Sequence, residues 1–186
     1  MTLRHKTPLL VLLFILLTLA LFSSGCSTES KTENSSENSQ MESESQIQIA
    51  PLAPDFELED LSGKKIRLSS LRGKIVVLNF WSLGCKYCLQ EMPDFEEFNR
   101  SKPEDVMVLM VNLDRAESRL SAYINNMQFS FTVLKDEAAE TARTYMIRGV
   151  PTTFIIDKDG IIAARIEGSL TKNQLEGLVT NVIQKD

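Results

Sequence analysis

Residues Phe80 to Pro93 read FWSLGCKYCLQEMP and contain two of the chain's three cysteines, Cys85 and Cys88. A nearly continuous apolar run, Ile75 to Trp81, leads into them and is typical of a strand that is covered on both faces. After the short segment Ser82 to Gly84, a helix is predicted to begin at about Cys85. Two cysteines at this spacing fit half of a metal site, a structural disulfide or a redox-active pair.

A metal site lacks the ligands that it needs. A structural zinc ion requires four ligands from cysteine, histidine or carboxylate groups, and the pair supplies two. The third cysteine, Cys26, and the only histidine, His5, precede the part of the chain that looks globular. We therefore expect no metal at the pair, and a histidine-using copper carrier is excluded on the same ground.

A structural disulfide is also a weak interpretation, because only Lys86 and Tyr87 separate the cysteines. In the chain-entropy model a disulfide stabilises a protein more when it closes a longer loop. A redox-active pair has a physical basis instead. Unpaired N–H groups and the dipole at a helix N-terminus favour an anion, which lowers the pKa of such thiols to roughly 3.5–7.5. Cys85 is the predicted nucleophile, and Cys88, about one turn later on the same face, is the predicted resolving thiol.

Residues 1–25 have the pattern of a secretory signal peptide of the lipoprotein type. A start with two basic residues and no acidic one precedes fourteen residues, Leu9 to Phe22, of which Thr18 is the only polar one. Fourteen residues are fewer than the roughly 20 that a spanning helix needs. An uncleaved, tilted anchor is therefore the weaker alternative.

Cys26 and the segment after it predict a membrane anchor on a flexible tether. Ser23 to Cys26 resembles a bacterial lipobox, which implies that Cys26 is lipidated and becomes the first residue; an ordinary thiol is the alternative. Residues 26–50 form the predicted tether, with seven serines, five glutamates and two large apolar residues between Ser27 and Gln48. Such a segment cannot bury enough apolar surface to fold, so we expect it to be disordered. The protein is expected on the outer face of the bacterial cell membrane.

The charge of the chain argues against one class of partner. Removing residues 1–25, which hold two basic residues and no acid, changes the formal net charge from −5 to −7. This balance predicts no binding to nucleic acid and no electrostatic attachment to anionic lipid. One acyl chain binds a membrane only marginally, so the predicted anchor depends on the several chains of a bacterial lipoprotein.

Residues 51–186 are long enough for one domain with a hydrophobic core. Hairpins are predicted around Ser62 to Lys64 and around Lys158 to Gly160, where Asp-Gly is a strong signal. A capping box at Thr171 and Gln174 starts the last helix. Buried strands alternate with helices between the hairpins, which predicts an α/β fold with a mixed central β-sheet flanked by helices. The predicted strands are Asp55–Leu58, Ile66–Leu68, Ile75–Trp81, Val106–Val111, Phe129–Leu134, Thr152–Asp157 and Ile161–Glu167, and the predicted helices before the last are Glu91–Asn99, Glu117–Asn126 and Glu137–Tyr145.

Several short motifs together resemble the thioredoxin superfamily, and in particular its extracytoplasmic TlpA/ResA-like branch. Their order and spacing cover essentially all of residues 51–186. The resemblance implies a thioredoxin-like fold with an N-terminal β-hairpin and a βα insertion before a loop that contains a cis-proline. The motifs are Asn79–Trp81, Cys85–Cys88, Pro93 and Gly149–Thr153, with Ala53–Phe56, Leu61–Lys64 and Leu71–Lys74 for the branch.

The resemblance also implies roles for individual residues. Pro151 would follow a cis peptide bond beside the cysteines, and Val150 would offer backbone groups to a bound client strand. Trp81 is predicted first as a core residue, and in the site role it would flank the disulfide and take part in substrate binding. Glu91 would be a partly buried carboxylate that moves protons for Cys88. The alternatives are that Pro151 is an ordinary turn proline, that Val150 and Trp81 are core residues, and that Glu91 is a solvated helix residue.

Residues near the pair are predicted to tune it. Lys86 adds a cation that favours the Cys85 thiolate, while Tyr87 lacks the rigidity of proline. Reduction potentials in the superfamily span about −270 to −120 mV, and the sequence does not place this pair within that range. Asn79 stands where cytoplasmic thioredoxins carry a buried aspartate, and because an amide cannot act as a base, that role falls to Glu91.

The predicted function is that of a lipid-anchored, extracytoplasmic thiol–disulfide oxidoreductase that needs no cofactor and acts as a monomer. The resemblance implies that it reduces disulfides in exported proteins, with apo-cytochrome c as one client, using electrons from a membrane thiol transporter. Oxidation of client thiols is the alternative direction. A peroxiredoxin-like peroxidase is an enzymatic alternative because Ser82 lies three residues before Cys85, but Leu78 stands where its proline should be. A non-catalytic module that holds unfolded clients near Val150 and Pro151 is an alternative from another class.

Overall fold

The computed structural model describes residues 51–115 and 117–185. The signal peptide, the lipidated Cys26 and the tether that the sequence predicts lie outside these residues. The strands are β1 (Glu57–Asp60), β2 (Lys65–Arg67), β3 (Ile75–Trp81), β4 (Val106–Asn112), β5 (Thr132–Lys135), β6 (Thr152–Ile156) and β7 (Ile162–Glu167), and the helices are α1 (Lys86–Ser101), α2 (Glu117–Met127), α3 (Glu140–Thr144) and α4 (Lys172–Ile183).

The strands form one mixed sheet in the order β2-β1-β5-β4-β3-β6-β7. This is the thioredoxin-like α/β fold, with β5 and α3 as the βα insertion before the cis-proline loop. No helix of the described part is long and apolar enough to span a membrane.

Strand β3 lies in the interior of the sheet, between β4 and β6, and all seven of its residues are buried. It pairs in parallel with β4 and antiparallel with β6, where Asn79 lies opposite Thr153. Val77 and Trp81 pack into one core cluster together with Cys88, whereas Leu78 belongs to a second cluster. Because both faces are covered, the strand needs a continuous apolar sequence rather than an alternating one.

Both predicted hairpins are present. Strands β1 and β2 pair antiparallel around a turn in which Gly63 has φ +84°, and β6 and β7 pair around a turn in which Gly160 has φ +84°. A Cβ atom at Gly160 would also overlap the guanidinium of Arg72, which is the far end of a flexible side chain. The predicted capping box opens α4, with Thr171 Oγ1 accepting from the Gln174 N–H.

The helix predicted for Glu137–Tyr145 begins only at Glu140. Asp136 is buried, and its carboxylate accepts backbone N–H bonds from Glu140 and Ala142 at 2.9 and 2.8 Å. Ala139 has φ +53°, outside the helical region. The Asp136 side chain therefore satisfies the free N–H groups of the first turn, and the residues between it and Glu140 form a turn.

Strand β5 begins at Thr132, three residues later than predicted from Phe129. The backbone N–H of Ser130 donates to Glu96 Oε2 on α1 at 2.7 Å, and the ring of Phe129 stacks on that of Phe131. The segment before Thr132 is therefore held to α1 rather than to the sheet.

Candidate active site

Cys85 and Cys88 form a disulfide at the N-terminus of α1, with their Cα atoms 5.3 Å apart. Cys85 is the N-cap residue, and its Sγ accepts the backbone N–H of Cys88 at 3.1 Å. Cys85 is half-buried, whereas Cys88 is fully buried. An external disulfide can reach Cys85 first, which agrees with the predicted order of nucleophile and resolving thiol.

The loop before the pair is fixed by Asp114, which follows β4. Its Oδ2 accepts the backbone N–H of Leu83 at 2.6 Å and the Nδ2 of Asn112 at 2.9 Å. The backbone N–H of Leu113 also donates to Trp81 O at 3.0 Å. These contacts set the position at which α1 starts, and sequence reasoning missed them because Asp114 belongs to no recognised motif.

The Val150–Pro151 peptide bond is cis, as predicted. Val150 O lies 3.4 Å from Cys85 Sγ, a contact that can become a hydrogen bond once the thiol is reduced and carries a hydrogen. Thr152 Oγ1 donates to Gly149 O at 2.8 Å and closes the loop. The structure therefore brings Val150 and Pro151 beside the pair, while their contact with a client stays a prediction.

The three other predicted residues differ in exposure. Tyr87 is 66% exposed, and its carbonyl oxygen accepts the hydroxyl of Ser169 at 3.2 Å. Lys86 is exposed. Trp81 has no exposed surface and packs in the same core cluster as Cys88. Trp81 thus packs in the core that supports the site. Because it is buried, a contact between its side chain and a client is not favoured.

Glu91 lies one turn after Cys88 on α1 and is 2% exposed. Its Oε1 accepts the Nδ2 of Asn79 at 3.0 Å, and its Oε2 accepts the backbone N–H of Leu170 at 2.9 Å. Burial raises the pKa of Glu91 to about 7, and the negative charge of Asp94 adds to this, although the two N–H bonds act in the opposite direction. A carboxyl group with this pKa can accept and return a proton near neutral pH.

Sequence reasoning missed the partners of Glu91. Leu170 comes from the loop before α4, 79 residues along the chain, and Asn79 from β3. The only signal in the sequence was Asn79, a polar residue inside an apolar strand, which implies a buried hydrogen-bond partner. In residues 51–115 and 117–185, no group of three or more metal-ligating side chains is assembled. The site offers two sulfurs and one proton-binding carboxyl group.

Comparison with known proteins identifies the family. A model of the AhpC/TSA family matches residues 49–165, more than half of the chain. The chain belongs to the AhpC/TSA family. The thiol-disulfide oxidoreductase ResA of Bacillus cereus (strain ZK / E33L) is 37% identical over 140 residues, which cover 75% of this chain and 81% of the relative. This member of the family is therefore a ResA-like thiol–disulfide oxidoreductase with a Cys85–Cys88 pair.

Solved structures of similar proteins share the fold. A protein of Chlorobium tepidum assigned as the thiol:disulfide interchange protein DsbE is 29% identical, with a TM-score of 0.65 over 72% of this chain and 96% of that one. The exposed lipoprotein thioredoxin Etrx1 of Streptococcus pneumoniae is 31% identical, with a TM-score of 0.62 over 68% of this chain and 99% of that one. Both matches cover the relatives almost completely.

Proposed function

We propose that this oxidoreductase is a lipid-anchored, extracytoplasmic reductase of disulfides in exported proteins. The observation that carries the proposal is the order of groups along α1: a half-exposed Cys85, a fully buried Cys88 and, one turn further, a buried Glu91. An accessible sulfur can attack an external disulfide. A buried thiol has a poorly stabilised thiolate and needs a base close by.

The reaction has two exchange steps. The Cys85 thiolate attacks one sulfur of the client disulfide, forms a mixed disulfide and releases the other client sulfur as a thiolate. Cys88 then passes its proton to the Glu91 carboxylate and attacks the Cys85 sulfur. The mixed disulfide breaks, the second client thiolate leaves and takes up a proton, and the Cys85–Cys88 disulfide forms. The client gains two electrons, which a membrane thiol transporter returns to the pair.

The location and the clients rest on similarity and on the N-terminal sequence. Etrx1, which is described as an exposed lipoprotein, is similar over almost its whole length, and Ser23 to Cys26 resembles a lipobox. Val150 O lies 3.4 Å from Cys85 Sγ, which supports the proposal that an extended client segment pairs with backbone groups beside the disulfide. An unfolded exported protein such as apo-cytochrome c presents segments of this kind. The protein acts on it as a monomer.

The reduction potential of the pair tests the direction of electron flow. The full-length protein is equilibrated in glutathione or dithiothreitol buffers, and its thiols are trapped. We expect a potential near −270 mV, at the reducing end of the range for this superfamily. A potential near −120 mV would instead make the protein a donor of disulfides.

A trapping variant tests the client and the anchor. Cys88→Ser should accumulate a mixed disulfide between Cys85 and exported proteins in the membrane fraction. Cys85→Ser is the matched control for this trapping and should trap nothing. In a separate test of the anchor, Cys26→Ala should release the protein from the membrane fraction. If Cys85→Ser left client binding and the cell phenotype intact, the non-catalytic binding module would be correct.

A peroxidase is the second candidate, because the matching family model is named AhpC/TSA and Ser82 precedes Cys85 by three residues. Leu78, at the position of the expected proline, is fully buried in the core cluster that does not contain the cysteines. Cys88→Ser separates the two functions, since a peroxidatic Cys85 would still consume one equivalent of peroxide. We expect no such consumption.

A further inference from the structure

Glu91 shares a buried polar contact with two strands of the sheet. Asn79 on β3 and Thr153 on β6 are cross-strand partners, and neither is exposed. The amide nitrogen Nδ2 of Asn79 donates both to Glu91 Oε1 at 3.0 Å and to Thr153 Oγ1 at 2.9 Å. The other end of the same amide, Oδ1, is buried and has no hydrogen-bond partner within the described residues. A buried acceptor without a partner is costly, so the arrangement calls for a physical explanation.

The hydrogen bonds in the structure favour the ionised form of Glu91. Each carboxylate oxygen accepts from an N–H group, Leu170 N or Asn79 Nδ2, and neither of these nitrogens can accept a proton in return. Leu170 N is a backbone donor and is therefore fixed. Each oxygen also keeps a second lone pair. A proton on the Oε1 lone pair that faces Asn79 would meet an N–H donor and would need an acceptor there instead.

The unpartnered Oδ1 is the acceptor that the protonated form needs. A half turn of the Asn79 amide exchanges Oδ1 and Nδ2. Oδ1 then faces the new O–H of Glu91 and the hydroxyl of Thr153, which can donate as readily as it accepts. The amide therefore has one orientation suited to the carboxylate and another suited to the carboxylic acid.

We propose that Asn79 is a positioning residue for the thiol–disulfide reaction, because its side-chain amide turns over when Glu91 gains or loses a proton and keeps a hydrogen bond to Glu91 in both states. The proposal deepens the proposed function, in which Glu91 takes the proton of Cys88. When Cys88 releases its proton to Glu91, the amide turns Oδ1 towards the acid. When Glu91 returns the proton, Nδ2 faces the carboxylate again.

Few titratable groups face this contact. Cys88 lies one turn earlier on α1, and Asp94 contributes a negative charge from the same helix. On α4, the ammonium of Lys172 pairs with Glu97 at 2.9 Å and its backbone N–H donates to Asp94 at 2.9 Å. The residues of β3, β6 and the Gly168–Thr171 loop that pack here carry no titratable side chain. In the oxidised protein, where Cys88 does not titrate, a pH-dependent change at Asn79 reports Glu91.

The oxidised, full-length protein provides the test, by NMR. The Asn79 side-chain ¹H–¹⁵N signals and the Glu91 carboxyl ¹³C signal are followed across the pH range around 7 in which Glu91 titrates. We expect both to change with the same midpoint, and we expect the Asn79 change to disappear in Glu91→Gln. Asn79 signals that stay constant while Glu91 titrates would overturn the proposal without the need for any variant at Asn79.

Two leucine variants complete the test. Asn79→Leu removes the donor that stabilises the carboxylate, so the Glu91 midpoint should rise by about one pH unit or more. Asn99→Leu is the matched control, because the Asn99 amide, about two turns after Glu91 on α1, donates to Ser130 Oγ at 3.1 Å rather than to Glu91. It should leave the midpoint unchanged, and an equal rise in both variants would contradict the proposal. These readouts do not involve a client, so they remain valid if the protein proves to be an oxidant or a peroxidase.

Discussion

Glu91 and Glu96 lie five residues apart on α1, and both are buried, with 2% and 7% of their surface exposed. Their pKa values are nevertheless displaced in opposite directions. Burial raises the pKa of Glu91 to about 7. Burial also acts to raise the pKa of Glu96, but two hydrogen bonds from Ser130 and the charge of Arg100 outweigh it and hold the pKa below its usual value.

The partners of the two carboxylates explain the difference. Glu96 accepts the N–H and the hydroxyl of Ser130, both at 2.7 Å, and pairs with the Arg100 guanidinium at 2.6 Å. Glu91 has two neutral N–H donors and feels the negative charge of Asp94. Glu96 thus has the same number of neutral donors as Glu91 and in addition a cation, which favours its ionised form. The end of α1 beside the cysteines therefore carries a group suited to proton transfer, and the middle of the helix carries a structural anion.

The largest difference is expected when the carboxyl group of Glu91 or of Glu96 is replaced by an amide. Glu91→Gln removes the base that takes the proton of Cys88, so the release of a small thiol from a mixed disulfide with Cys85 should slow by about 100-fold at neutral pH. The measurement is stopped-flow detection of the released thiol. Glu96→Gln is the control and should keep the wild-type rate. Equal slowing in both variants would mean that Glu91 acts through the stability of α1 and not through its proton.

The two groups should also give opposite pH dependence to the free energy of unfolding. Between pH 4.5 and pH 7 the folded protein keeps a proton on Glu91 that the unfolded chain has released. Stability should therefore decline as the pH rises through this range, by about 3 kcal/mol if Glu91 acted alone. The pKa of Glu96 is lower in the folded protein than in the unfolded chain. Glu96 therefore adds stability at pH values above its unfolded pKa, and this stability is lost as the pH falls through its folded pKa.

Urea unfolding of the oxidised protein at several pH values measures this dependence. Glu91→Gln should abolish the decline between pH 4.5 and pH 7, and Glu96→Gln should leave it in place. A decline that persists in Glu91→Gln would show that Glu91 does not bind a proton in this range.

The smallest effect on stability is expected for Arg100, the cation that pairs with Glu96. Arg100→Met removes the charge next to Glu96, so the pKa of Glu96 should rise. Because the Arg100 side chain is 65% exposed, the cost in stability should be no more than about 1 kcal/mol. In a Glu96→Gln background the same substitution should cost nothing, which a double-mutant cycle by urea unfolding can check. A cost that is independent of Glu96 would mean that Arg100 stabilises α1 by other contacts.

Elements whose residues interact along the chain could be predicted from the sequence. Strand β3 has the predicted bounds, Ile75 to Trp81, because both of its faces are buried and every position is apolar or hydrogen-bonded inside the sheet. The turn at Gly160 and the capping box at Thr171 also follow from local chemistry. The helix start at Cys85 depends on the same kind of local pattern.

Elements whose start is set by a buried carboxylate could not be predicted in this way. The helix predicted from Glu137 starts at Glu140 because the buried Asp136 carboxylate accepts the backbone N–H of Glu140. The strand predicted from Phe129 starts at Thr132 because Ser130 bonds to α1. Both corrections come from side chains that bind backbone N–H groups, and the sequence does not show which group a carboxylate will reach.

The sequence by itself determined an α/β fold with a mixed sheet and the redox pair, because hydrophobic periodicity, turn residues and the Cys-x-x-Cys spacing all act over a few neighbouring residues. The thioredoxin-like fold was implied by the resemblance of its motifs to that superfamily. The tertiary structure alone decided which of two glutamates on α1 holds a proton near neutral pH. Glu91 and Glu96 have the same side chain on the same helix, which also supplies Asp94 beside the first and Arg100 beside the second. Folding adds Asn79 and Leu170 to Glu91 and Ser130 to Glu96. A pKa depends on the charges and hydrogen bonds within a few ångströms, and folding assembles that environment from residues far apart in the chain.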